Sequence, residues 1–114
     1  MSTPTRKPPV YTVYVIELSA DILARRRFAE ANPGYTYDPA HPPVYVGHTV
    51  RTPKERFEQH RAGTKASRYT RGNAIRLRMD LAGTLVFATR KEAEIMEKRH
   101  ATILRERGFA VWQK

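Results

Sequence analysis

Val10-Tyr11-Thr12-Val13-Tyr14-Val15-Ile16-Glu17-Leu18 is the stretch from which the rest of the chain can be laid out. It alternates loosely and is rich in β-branched and aromatic residues, which suit a pleated, half-buried surface, so a strand is predicted over 10–18. A second run of the same character, Val44-Tyr45-Val46-Gly47, predicts another strand reaching toward Val50. Between the two, Ser19 caps a helix predicted over 20–31 through Asp21, Ile22, Leu23, Phe28 and Ala31. Asn32-Pro33-Gly34 stops that helix, and Pro39, Pro42 and Pro43 keep 35–43 irregular.

Downstream, Thr52-Pro53-Lys54-Glu55 opens a helix with a capping threonine, a proline at the first helical position and a glutamate that completes a capping box. Gly63 ends it. A basic loop over 64–73 follows, with a short turn near Ser67. Residues 76–81 read as helix or as irregular chain, and 83–88 as a third strand. Thr89-Arg90-Lys91-Glu92 is a second capping box, opening a long helix to Arg107 that stops at Gly108. Residues 109–112 form a short terminal strand or an apolar cap on the core. The order β, α, β, α, β, α describes an α/β chain of the α+β type, a sheet of about three strands with helices packed on it.

The length of 114 residues suits one domain, over 10–114, with a single modest core. Residues 1–9 carry three prolines and almost nothing apolar, and read as a loose tail. No apolar stretch follows the basic start as a secretory signal requires, and none is long enough for a bilayer. With no cysteine there is no disulfide frame and no thiolate chemistry, so a cytoplasmic protein without membrane contact is expected. A net charge of +10 points to a polyanionic partner, because phosphate neutralisation dominates nucleic-acid affinity. The excess is local: nine lysines and arginines lie between Arg51 and Arg78, against Glu55 and Glu58. Lys65, Arg68, Tyr69, Arg71, Arg76 and Arg78 form the expected nucleic-acid-binding surface, the plain alternative being a solvated basic face.

Arg56 and His60 lie one helical turn apart and project from one face of the second helix. An arginine can grip a phosphate with two prongs, and a histidine exchanges a proton near neutral pH. On the last helix the inward stripe is read as Ala93, Met96, His100, Ile103 and Leu104, which leaves Glu97 on its shoulder. A carboxylate there needs a metal, a cation or a hydrogen-bond donor. Tyr14 and Tyr45 suit strands as packing residues; as bases they need help, since a phenol's ordinary pKa is about 10. The four histidines, His41, His48, His60 and His100, show no zinc spacing, and neither a phosphate-binding glycine loop nor a serine elbow is present.

Together these pieces resemble the GIY-YIG nuclease family. Thr12-Val13-Tyr14 stands for its first motif, and Tyr45-Val46-Gly47, followed by Thr49, for its second. Arg56 and His60 match its helix pair in Glu55-Arg56-Phe57-Glu58-Gln59-His60, and Glu97 matches its metal-binding glutamate. The resemblance covers 11–108 and implies a small central antiparallel sheet of three strands flanked by helices. It further implies hydrolysis of DNA (RNA not excluded) with one divalent ion, Mg²⁺ or Mn²⁺, held by Glu97. Arg56 would offset phosphoryl charge, and Tyr14 or Tyr45 would orient or deprotonate the attacking water with His60 relaying the proton.

Three departures stand out. Thr12 replaces a glycine, and 19–43 is an insertion between the motif strands that covers the site or contacts substrate. The family's late asparagine has no counterpart, since Asn73 comes too early and the C-terminal end offers only Gln113. With no second recognition element, loose or structure-directed cleavage is expected unless a protein partner or an oligomer supplies targeting. The alternative is a non-catalytic nucleic-acid-binding module of the same fold; a basic protein-interaction adaptor would leave the Tyr, Arg and Glu positions without a role.

Overall fold

The first strand is the spine of the molecule, and it is paired along both edges. The computed structural model describes residues 9–63, 69–83 and 86–113. β1 (Tyr11–Leu18) runs antiparallel to β2 (Val44–Thr49), with Thr12 opposite Thr49 and Glu17 opposite Val44. On its other edge β3 (Ala74–Leu77) pairs its C-terminal end, and β4 (Val86–Phe87) its N-terminal end. β5 (Val111–Gln113) lies parallel to β2 and completes a mixed five-stranded sheet.

The expected sheet of three antiparallel strands is therefore too small and of the wrong type. β5 is parallel because the long path from β2 to residue 111 crosses over through helices, and only such a crossover returns a strand in the same direction. β3 ends inside the segment 76–81 that the sequence leaves open between helix and irregular chain, and the rest of that segment leads into a single helical turn, Met79–Ala82. The third strand expected over 83–88 is described only as Val86–Phe87, with residues 84–85 outside the described set. The tail falls almost wholly outside it too, and so does the turn near Ser67.

Helices cover both faces. α2 (Pro53–Ala62) starts where Thr52 Oγ1 accepts from Glu55 N and stops at Gly63, whose φ of 80° is left-handed and costs glycine nothing. α3 (Met79–Ala82) is a single turn. α4 (Arg90–Glu106) opens with Thr89 accepting from Glu92 N while its hydroxyl donates to the Glu92 carboxylate. α4 packs Ala101 and Leu104 on Val13, Val15, Val44 and Val46. Tyr14, Ile16, Leu18 and Tyr45 point the other way, toward Ile22, Phe28 and Phe57. Among the described residues no helix is long and apolar enough to cross a membrane.

The insertion does not form one helix. A 3-10 helix over Ala20–Ala24, capped by Ser19, gives way at the extended residue Arg25 to α1 (Arg26–Ala31). Ile22 and Phe28 are both buried, yet residues six apart on one straight α-helix point about 120° apart. The break at Arg25 lets both reach the sheet. At the end of α1 the buried Asn32 grips β5: Nδ2 donates to the carbonyls of Phe28 (2.9 Å) and Val111 (3.0 Å), and Oδ1 accepts from Val111 N (2.7 Å).

Candidate functional site

Alternation along the two motif strands sends their key residues to opposite faces. Tyr14, opposite Gly47, shares the α2 face with Tyr45; His48, opposite Val13, shares the α4 face with Glu97. Among the described residues the pairing of β5 with β2 reaches Val46↔Gln113, and the two sets come together beside Gly47. A cleft of about 340 Å³ opens there, lined from one face by Tyr14 and Tyr45 and from the other by His48, Glu94, Glu97, Lys98 and Gln113. Arg56 and Arg90 form its rim. None of the described residues of the insertion lines it.

Gly47 is the hinge of this arrangement. A Cβ there would lie 2.6 Å from Tyr14 Oη, 2.7 Å from Tyr14 Cζ and 3.0 Å from Tyr45 Cε1. The phenols occupy the space a side chain would need.

Glu97 is not on the shoulder of the inward stripe but at its centre. The buried residues of α4 are Ala93, Glu97, Ala101 and Leu104, while Ile103 is 43% exposed. Glu97 itself is 2% exposed. A carboxylate so placed must be fully hydrogen-bonded. His48 Nδ1–H donates to its Oε2 at 2.5 Å, and Gln113 Nε2 donates to its Oε1 at 3.1 Å. Neither partner was expected. Period-2 alternation after Gly47 could have assigned His48 to the α4 face, whereas Gln113 arrives through a long-range parallel pairing that leaves no local signal.

His60 sits beneath the phenols rather than in the cleft. It is 0% exposed, with Nε2 2.9 Å from Tyr14 Oη and Nδ1 2.6 Å from Thr70 Oγ1, and the Tyr45 ring lies 5.2 Å away. Burial, reinforced by the nearby Arg56 charge, pushes its pKa down to about 4, so it does not titrate near neutrality as the sequence suggested. Burial raises Tyr14 above the ordinary phenol range, Tyr45 adds to the rise, and Arg56 opposes it. Tyr45 is pushed up to about 12 by burial and then by the Glu97 carboxylate, again against Arg56. Desolvation wins over the guanidinium, and both phenols keep their protons at neutral pH. Arg56 Nη1 also donates to Gln59 Oε1 at 3.0 Å, which aims the guanidinium along the rim.

The expected nucleic-acid surface is reduced. Tyr69 is 5% exposed, edge-on to Trp112 at 4.4 Å and to Phe28, and belongs to the core. Arg78 is held in a fork, donating to Glu17 Oε1 (2.8 Å) and to both Asp80 oxygens (2.9 Å). Its pKa is raised, by Asp80 first. Arg76 is exposed with Nε 3.6 Å from Glu17 Oε2, and Arg71 is exposed. Lys65 and Arg68 lie outside the described residues.

No family model matches this chain, and neither a curated protein nor a solved structure matches it.

Proposed function

We propose that this chain is a metal-dependent endonuclease of the GIY-YIG kind, hydrolysing DNA phosphodiester bonds one strand at a time. One observation carries the reading: the carboxylate of Glu97 shares a cleft with two phenols and the Arg56 guanidinium, although the strands send them to opposite faces of the sheet.

The residues present fit a divalent ion of the Mg²⁺ or Mn²⁺ type. Glu97 offers hard oxygen donors whose orientation is fixed from both sides by His48 and Gln113, and such ions commonly use one or two carboxylates together with substrate phosphates. A bound ion would supply positive charge to the phosphate and to the departing oxygen. Arg56, on the rim between α2 and the phenols, would offset charge growing on the phosphoryl oxygens, where preorganised electrostatics is most effective.

The protonation states favour orientation over deprotonation for the tyrosines. With Tyr45 at about 12 and His60 at about 4, a relay from phenol to imidazole runs uphill at both ends at neutral pH. Tyr14 and Tyr45 instead act as fixed hydrogen-bonding groups that aim the attacking water, and His60 with Thr70 holds the Tyr14 oxygen in place.

The test is a supercoiled plasmid incubated with the protein and Mg²⁺ or Mn²⁺, repeated with EDTA and with Glu97→Ala. Nicking that disappears in both controls supports the enzyme. Salt-sensitive binding with no nicking under any metal identifies a non-catalytic binding module instead.

A further inference from the structure

A second cleft, of about 360 Å³, adjoins the first and shares His48, Arg56 and Arg90 with it. Tyr11, Thr49, Val50, Arg51 and Gln59 supply the rest of its lining. Tyr11 is held at the start of β1 by pairing with Phe87, and its ring centre lies 6.2 Å from that of His48 at 58°. Among the described residues, the two cations at its mouth pair with exposed helical neighbours: Arg51 lies 3.8 Å from Glu55, and Arg90 lies 3.1 Å from Glu94. Such exposed pairs are worth little and yield readily to a phosphate. Arg78, by contrast, is locked between two carboxylates at the other end of β1.

We propose that this second cleft is a subsite for one unpaired nucleotide next to the bond to be cut, its base against the Tyr11 ring and its phosphate between Arg51 and Arg90. The assignment rests on the hydrolytic reading above and adds a substrate class to it. An aromatic wall between cations suits a nucleotide, because every base has a face to stack and every linkage a charge to neutralise. A base inside a continuous duplex keeps both faces stacked on its neighbours and has none to offer. The cleft therefore selects single strands, flaps and frayed ends over intact duplex.

Binding is measured by fluorescence anisotropy in EDTA, so that no cleavage occurs, using a labelled single strand, a flap and a fully paired duplex of one sequence. The unmodified protein should bind the single strand and the flap at least fivefold more tightly than the duplex. Tyr11→Leu should weaken the first two roughly tenfold, the scale of one lost base–aromatic stack. Tyr11→Phe, which keeps the ring, should bind as the unmodified protein does and shows that the position tolerates change. Arg51→Glu with Arg90→Glu should weaken all three substrates and flatten the salt dependence, while Arg76→Glu at the far end of β1 stays within about twofold. Equal binding of duplex and single strand, an unchanged Tyr11→Leu, or equal losses at Arg76 and at the Arg51/Arg90 pair would overturn the subsite. Metal-dependent nicking with no Tyr11 effect rejects the subsite and keeps the nuclease. Ring-dependent binding of unpaired strands without nicking keeps the subsite and rejects the nuclease.

Discussion

Gly47 and His60 show how single residues set the chemistry of the cleft. Gly47→Ala places a methyl group within 2.7 Å of a phenol that is itself tied to His60, so the ring cannot swing away without breaking that contact. Overpacking of this kind costs about 1–3 kcal/mol. A lower urea midpoint at unchanged m-value is expected, with nicking reduced further than stability explains because both phenols must move. His60 makes stability depend on acid. Its pKa of about 4 in the folded chain lies below the ordinary value of 6.5, so between those values the unfolded chain binds more protons. The contribution is whole above pH 6.5 and is lost as pH falls toward 4, by at most about 1.4 kcal/mol per pH unit for one proton. Urea titrations across pH 4–7 should show that slope, and His60→Gln should remove it; an equal slope in the variant would assign it to other groups.

At the level of elements, what could be read locally was read, and what depended on distant pairing was not. The starts of α2 and α4 are legible because Thr52 and Thr89 accept from backbone three residues on, a signal contained within four residues. The break at Arg25 is invisible locally, since only the need to bury Ile22 and Phe28 together demands it. Counting apolar residues mis-set the face of α4, because the stripe that meets the sheet includes the carboxylate of Glu97. The insertion was expected over the site or on the substrate, yet its clearest role is to hold β5 through Asn32. Asn32→Ala would leave Val111 N without its partner, while the Val111 carbonyl keeps the 2.8 Å bond from Arg105 Nη2. A buried donor left unpaired costs about 1–3 kcal/mol. The effect should extend to the cleft, since β5 carries Gln113 to Glu97. Weaker Mn²⁺ binding by calorimetry, at a temperature where the variant is still folded, is the expected outcome; unchanged affinity would limit Asn32 to stability.

Across the whole molecule the question is where a net charge of +10 is spent. By density the sequence places the excess between Arg51 and Arg78, and the expected binding surface on Lys65, Arg68, Arg71, Arg76 and Arg78. The fold redistributes it: Glu17 and Asp80 draw on Arg76 and Arg78, while Arg51, Arg56, Arg90 and Lys98, from two separate stretches, line the joined clefts. A linear charge count cannot see that convergence, because it depends on α2 and α4, on opposite faces of one sheet, both contributing to the cleft beside Gly47. Among the described residues Glu97 and its two supports occur once, so the proposed hydrolysis would have one centre. On the proposed reading, one such centre acting alone would break one strand per encounter. Supercoiled plasmid should therefore pass first to open circle, with linear product appearing late and only as independent nicks fall close together on opposite strands. The yield of nicks per protein should not rise with protein concentration, and raising salt from 50 to 200 mM should slow nicking by at least tenfold as phosphate contacts are screened. Linear product that forms without an open-circle stage, more steeply than first order in protein, would instead require two copies of the chain acting together on the duplex.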